Sequence, residues 1–194
     1  MSAPDSLAVF VADLDALVSR SPDEAALLAE GRGLLGDLVA FDDWLPDAYA
    51  AADPDRYQQY LLYRDPEGRF SVVSFVWGPG QATPVHNHTV WGLIGVLRGA
   101  ELSQAYEIGV QRLRPVGPVR RLTAGQVETV SPRIGDIHRV ANAFDDRVSV
   151  SIHVYGADIG RVERSIFDDE GRAKRLVSGY APLEPLVLAL EATS

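Results

Sequence analysis

The 194-residue chain is 46% hydrophobic and 23% charged, which fits a globular protein able to bury a sizeable core and excludes disordered and fibrous classes. Eighteen Lys and Arg against 27 Asp and Glu leave a formal net charge of -9, which argues against nucleic acid or an anionic membrane as partner, since both require a positive surface. With no cysteine there are no disulfides, thiolate metal sites or cysteine nucleophiles, so any bound metal must use nitrogen or oxygen ligands. Met1-Ser2-Ala3-Pro4-Asp5 lacks the basic start and apolar core of a signal peptide, and no apolar run approaches the roughly 18 residues of a membrane span. The expectation is a soluble, cytoplasmic protein.

In chain order, Leu7, Phe10, Val11, Leu14, Leu17 and Val18 follow the spacing of an amphipathic helix that ends near Ser19. Ser21-Pro22-Asp23-Glu24 reads as a capping serine, a first-turn proline and a glutamate that open a second helix through Leu38. Gly31, Gly33 and Gly36 weaken that helix by roughly 1 kcal/mol each against alanine, so packing must hold it or it breaks there. A short third helix is expected over Pro46 to Ala52.

After Asp53-Pro54-Asp55 the periodicity changes to that of short strands rich in β-branched and aromatic residues. Strands are expected near Tyr57 to Tyr63, Phe70 to Trp77, Val85 to His88, Gly92 to Leu97, Ser103 to Glu107, Gln126 to Val130, Ile137 to Asn142 and Val148 to Tyr155. Asp65-Pro66-Glu67-Gly68, Gly78-Pro79-Gly80, Arg98-Gly99-Ala100 and Asp145-Asp146 supply turns. The expected fold is mainly β, an antiparallel jelly-roll barrel with N-terminal α-helices. Residues 1–55 form the helical segment packed on a barrel of residues 56–194, the whole being one structural domain. The tail from Arg161 is mixed, and Pro182 to Ala192 reads as either a short helix or an extended arm.

Chemistry concentrates in four histidines. In an extended Gly80-Gln81-Ala82-Thr83-Pro84-Val85-His86-Asn87-His88, His86 and His88 share a face about 7 Å apart, half of a metal site. His138, in Gly135-Asp136-Ile137-His138, is the leading third nitrogen donor. Ser151, His153 and Tyr155 alternate on one strand face, where serine can orient imidazole and imidazole can orient phenol.

These residues resemble the cupin motifs. Gly80, His86, His88 and Gly99 occupy the places of the first motif, and Pro132, Gly135, His138 and Asn142 those of the second, with one extra residue between proline and glycine. The first motif's glutamate falls on Gly92, and no acidic residue lies between His88 and Glu101. Three neutral imidazoles leave a divalent ion at a net charge of +2, which favours anionic ligands such as a thiolate. Three histidines without the carboxylate, together with the Ser-x-His-x-Tyr strand, resemble the thiol dioxygenases of the cysteine dioxygenase family over roughly residues 57 to 165.

Within that family the chain most resembles the bacterial 3-mercaptopropionate dioxygenases. It has no cysteine near Gly92 to cross-link Tyr155, Tyr60, next to Gln59, stands where the animal enzymes carry a carboxylate-binding arginine, and Gly156-Ala157 follows the tyrosine in place of Ser-Pro. The resemblance implies Fe(2+) on His86, His88 and His138, catalysis by Ser151, His153 and Tyr155, and a small mercapto acid converted with O2 to its sulfinate. It assigns the substrate carboxylate to Arg164, with Gln59 beside it and Arg161 or Arg133 as substitutes. Two other readings stay open: a cysteine dioxygenase, and a non-redox metal-binding cupin, an isomerase or small-molecule sensor holding nickel, manganese or zinc.

Overall fold

The computed structural model describes residues 3–110, 112–186 and 188. Two helices, α1 (Ala3–Ser19) and α2 (Glu24–Val39), precede the strands. Leu7, Phe10, Val11, Leu14 and Leu17 are buried, as the apolar stripe of α1 requires.

The cap of α2 differs from expectation. Ser21 takes a left-handed φ of 49° and its amide donates to Val18 O at 2.9 Å, so it finishes the turn that closes α1. Asp23 is the N-cap instead, with an extended backbone and a carboxylate that accepts from Ala26 N at 2.9 Å. Glu24, placed at the start of the helix, accepts from Ser131 Oγ at 2.7 Å and ties it to the barrel.

The three glycines do not break α2, and at Gly31 close packing replaces what is lost in propensity. A Cβ on Gly31 would lie 2.9 Å from Leu93 Cδ1, and one on Gly95 would lie 3.0 Å from Leu35 Cγ. Small residues on both surfaces thus let helix and sheet approach. The expected third helix shrinks to one 3₁₀ turn at Asp47–Tyr49. Ser74 Oγ donates to Tyr49 O at 2.8 Å and Tyr49 OH donates to Glu184 O at 2.7 Å, so the chain is tied to the sheet and tail instead of continuing helical.

Among the described residues eleven strands follow: β1 (Gln58–Arg64), β2 (Ser71–Trp77), β3 (Val85–His86), β4 (Gly92–Arg98), β5 (Ala100–Ile108), β6 (Leu113–Thr123), β7 (Val127–Val130), β8 (His138–Asn142), β9 (Ser149–Tyr155), β10 (Arg164–Phe167) and β11 (Ala173–Leu176). They form a five-stranded sheet, order β1-β2-β9-β4-β7, and a six-stranded sheet, order β11-β10-β3-β8-β5-β6, with every named pairing antiparallel. The fold is a cupin-type double-stranded β-helix with N-terminal helices. β2 and β9 are buried along their whole length because the first sheet is covered on one face by helices and core and on the other by the barrel interior.

Three strands lie outside the expected set. β6 carries Pro115, Pro118 and Gly117, which argue against a strand, but it is an exposed edge strand, where a missing ladder donor costs nothing. β10 and β11 form a hairpin whose inner strand pairs with β3, setting Ile166 opposite His86. The expected strand through His88 ends at His86. Asp136 causes the stop, since its carboxylate accepts from the amides of His88 and Thr89 at 3.0 and 2.9 Å, and Thr89 turns at φ 63°. Of the segment Pro182 to Ala192, the described residues Pro182–Leu186 are irregular, and all but Leu188 of the remainder lie outside the described residues.

Candidate metal centre

β3 and β8 pair antiparallel with His86 directly opposite His138, and the turn held by Asp136 brings His88 to the same point. One nitrogen from each ring lies within 4.8 Å of those of the other two, and the ring centroids are 4.9 Å apart in all three pairs. Burial lowers the basicity of each ring, holding His86 at about 3 and His88 and His138 below the usual range, so all three are neutral at pH 7.

Hydrogen bonds then set which nitrogen is bare. His88 Nδ1 donates to Asp136 Oδ1 at 2.9 Å and His86 Nδ1 lies 3.0 Å from Pro84 O, which leaves Nε2 of both rings as lone pairs. His88 Nε2 and His138 Nδ1 are buried nitrogens with no hydrogen-bond partner. Leaving such an atom unmade costs about 1–3 kcal/mol, and a divalent ion among the rings would offset that cost at the bare His88 Nε2. The residues therefore fit a metal with three nitrogen ligands.

Among the described residues no carboxylate joins this cluster. At Gly92 a Cβ would lie 3.0 Å from both Tyr155 Cδ1 and Val130 Cγ2, so the tyrosine ring fills the space a motif glutamate would need. Gly92→Glu is accordingly expected to displace Tyr155 and destabilise the fold by about 1–3 kcal/mol without adding a ligand. Thermal unfolding with and without metal checks this; a variant that gains metal affinity at unchanged stability would contradict it.

The alternating residues of β9 form a chain. Ser151 Oγ lies 2.8 Å from His153 Nε2, and His153 Nδ1 lies 2.8 Å from Tyr155 OH. Phe75 stacks on His153 at 3.9 Å, and the Tyr155 ring stacks on His88 at 5.2 Å, so the far end of the chain reaches the metal cluster. Burial raises Tyr155 above the usual phenol range and keeps it protonated.

Arg164, the first residue of β10, is 6% exposed. Its Nη2 donates to Ser178 Oγ at 2.7 Å, whereas its Nε is buried without a partner, as is Gln59 Oε1. Both line a small cavity of ≈ 20 Å³ with Tyr57, Phe75, His86 and Leu176. A wider cleft of ≈ 500 Å³ between α1, α2 and the Phe41 to Trp44 segment contains none of the histidines. Arg133 and Arg161, the proposed substitutes, are 77% exposed and paired with Glu24 and Asp158. Tyr60 turns away to donate to Ala51 O at 2.8 Å.

Asp136 and Tyr57 belong to the site but carry no role in the sequence reading. The position of Asp136 two residues before His138 was the available signal; for Tyr57, it was the alternation with Gln59 along one strand.

The family profile described as cysteine dioxygenase type I matches residues 39–170. Among solved structures the chain is similar to TT1209 from Thermus thermophilus, at 17% identity and TM-score 0.42 over 57% of this chain and 92% of that one. A cupin superfamily protein from Desulfitobacterium hafniense gives 14% and 0.43 over 56% and 84%. A conserved protein with a double-stranded β-helix domain from Klebsiella pneumoniae gives 19% and 0.44 over 68% and 87%. With a profile that spans most of its length and three histidines converging on one point inside the barrel, the chain belongs to the cysteine dioxygenase type I family.

Proposed function

We propose that this protein is an iron(II) thiol dioxygenase that converts 3-mercaptopropionate, or a similar small mercapto acid, and O2 to the sulfinate, both oxygen atoms ending on sulfur. The observation that carries the reading is a buried arginine with an unpartnered Nε, Arg164, lining the same cavity as the metal-cluster residue His86. A guanidinium buried without a carboxylate calls for an anionic ligand, and a carboxylate matches its fork. His86, His88 and His138 would hold the ion, and iron(II) there supplies the one-electron chemistry that O2 needs to react with a thiolate. Arg164 binds the carboxylate, Gln59 hydrogen-bonds beside it, and the Tyr155 hydroxyl, oriented through His153 and Ser151, donates toward the reacting atoms.

The described residues lining the cavity include no Asp or Glu. A cysteine ammonium would find no carboxylate there, which favours the desamino acid over cysteine. Oxygen uptake by iron-loaded protein should therefore be fastest with 3-mercaptopropionate, slower with cysteine, and slowest with cysteamine, which lacks the carboxylate. Absence of thiol-dependent uptake would sink the reading, and a preference for cysteine would move it to the cysteine enzymes. Among the described residues no helix is long and apolar enough to cross a membrane, and O2 and the thiol are the partners proposed.

A further inference from the structure

Glu101 is a carboxyl buried in the barrel that the site described above does not use. It is the second residue of β5, fully buried, and neither oxygen has a hydrogen-bond partner. No hydrogen bond joins it to Ser151 Oγ of β9 or Trp77 Nε1 of β2 in this structure, yet both favour its charged form; burial outweighs them and pushes the carboxyl up to about 7. Opposite it on β8, Asn142 spends its amide on Trp77 O, Gly78 O and Arg147 O. On β6, Arg120 pairs with Glu128 and Arg121 lies over the Phe144 ring. No cation is therefore paired with Glu101 among the described residues.

We propose that Glu101 is a positioning residue that sets the direction of the Ser151, His153, Tyr155 hydrogen-bond chain through its own protonation. The reason is a count of donors and acceptors. Ser151 Oγ already accepts from Trp77 Nε1 at 3.2 Å, which leaves it one lone pair and one hydrogen. His153, held neutral by burial first and by His88, His86 and Arg164 next, has one N–H to place.

When Glu101 is protonated, it donates to Ser151, Ser151 donates to His153 Nε2, and His153 Nδ1–H donates to the Tyr155 oxygen. The Tyr155 hydrogen is then free to point toward the metal cluster. When Glu101 is ionised, it takes the Ser151 hydrogen. Ser151 must then accept from His153 Nε2–H, and the bare Nδ1 captures the Tyr155 hydrogen. One proton lost at Glu101 thus reverses three hydrogen bonds and withdraws a donor from the reacting atoms, while His153 stays neutral and only exchanges tautomers.

The inference rests on the dioxygenase reading for its effect on rate, but not for the tautomer exchange. The exchange is read first, by ¹⁵N NMR of histidine-labelled protein loaded with zinc, a diamagnetic stand-in for iron; the His153 signals are the ones missing from His153→Gln. His153 should carry its proton on Nδ1 at pH 6 and on Nε2 at pH 8.5. Glu101→Gln, whose amide does not ionise in this range, should hold one His153 tautomer throughout, and Ser151→Ala should remove the pH dependence while leaving Glu101 in place.

In iron-loaded protein kcat should fall about tenfold from pH 6 to pH 8, the loss of the protonated fraction of one group near 7. That fall should vanish in Glu101→Gln. A His153 tautomer that ignores pH, or a fall that persists unchanged in Glu101→Gln, would overturn the proposal. Failure of the functional reading looks different: the tautomer exchange remains, but no thiol supports oxygen uptake at any pH.

Discussion

Alanine at His138 is expected to abolish iron retention and thiol-dependent oxygen uptake together. The proposed ligand set is three imidazoles with no carboxylate among the described residues to fall back on, and the Tyr155 ring beside Gly92 fills the place where a fourth protein ligand would enter. Two imidazoles hold a divalent ion only weakly, since iron(II) stands low in the affinity order for nitrogen sites. Asp136→Ala is the graded counterpart. It removes the acceptor that fixes the His88 tautomer and releases the amides of His88 and Thr89, so iron affinity should fall about 10- to 100-fold without disappearing. Metal content after dialysis, alongside oxygen uptake at saturating iron, separates the two cases. Stoichiometric iron in His138→Ala would remove His138 from the ligand set. Zinc should be tested in parallel, because a tighter-binding metal can mask the loss.

How much of this was legible depends on whether a residue acts locally or through distant pairing. The stripe of α1 and the alternation of Ser151, His153 and Tyr155 are local periodicities, and both appear in the structure as read. The N-cap moved two residues because Ser21 was claimed by the turn ending α1, a competition invisible to a cap motif read alone. His86 and His88 converge for a reason other than the expected one. Strand alternation does not align them; a carboxylate 48 residues downstream of His88 folds the turn that does. β6 was hidden by prolines that an edge strand tolerates, and β10 and β11 by mixed patterning in a hairpin whose outer residues are exposed. Glu101 was visible only as the first acidic residue after His88, and nothing local marks it as buried.

Arg164→Met is expected to cost roughly 30- to 4,000-fold in kcat/KM for a mercapto acid, the range for removing one partner of a buried charge-assisted contact of about 2–5 kcal/mol. The loss should fall mainly on KM, because the carboxylate sits away from the reacting sulfur and is held alike before and during reaction. Cysteamine, which has no carboxylate, should be oxidised by the variant about as well as by the natural protein, so the preference for acids collapses from one side. Arg164→Lys should recover little, since an ammonium cannot reproduce the guanidinium fork or keep its bond to Ser178 Oγ at 2.7 Å. Stability should move the opposite way to activity. In the free protein Arg164 buries a cation whose Nε is unsatisfied, and a methionine of similar length relieves that cost, so thermal unfolding of Arg164→Met should occur at or above the natural temperature. Saturating 3-mercaptopropionate should then stabilise the natural protein by about 2.7 kcal/mol at a hundred times Kd, and the variant far less. Equal stabilisation of both proteins would show that the acid binds elsewhere and would return the carboxylate to Arg161 or Arg133.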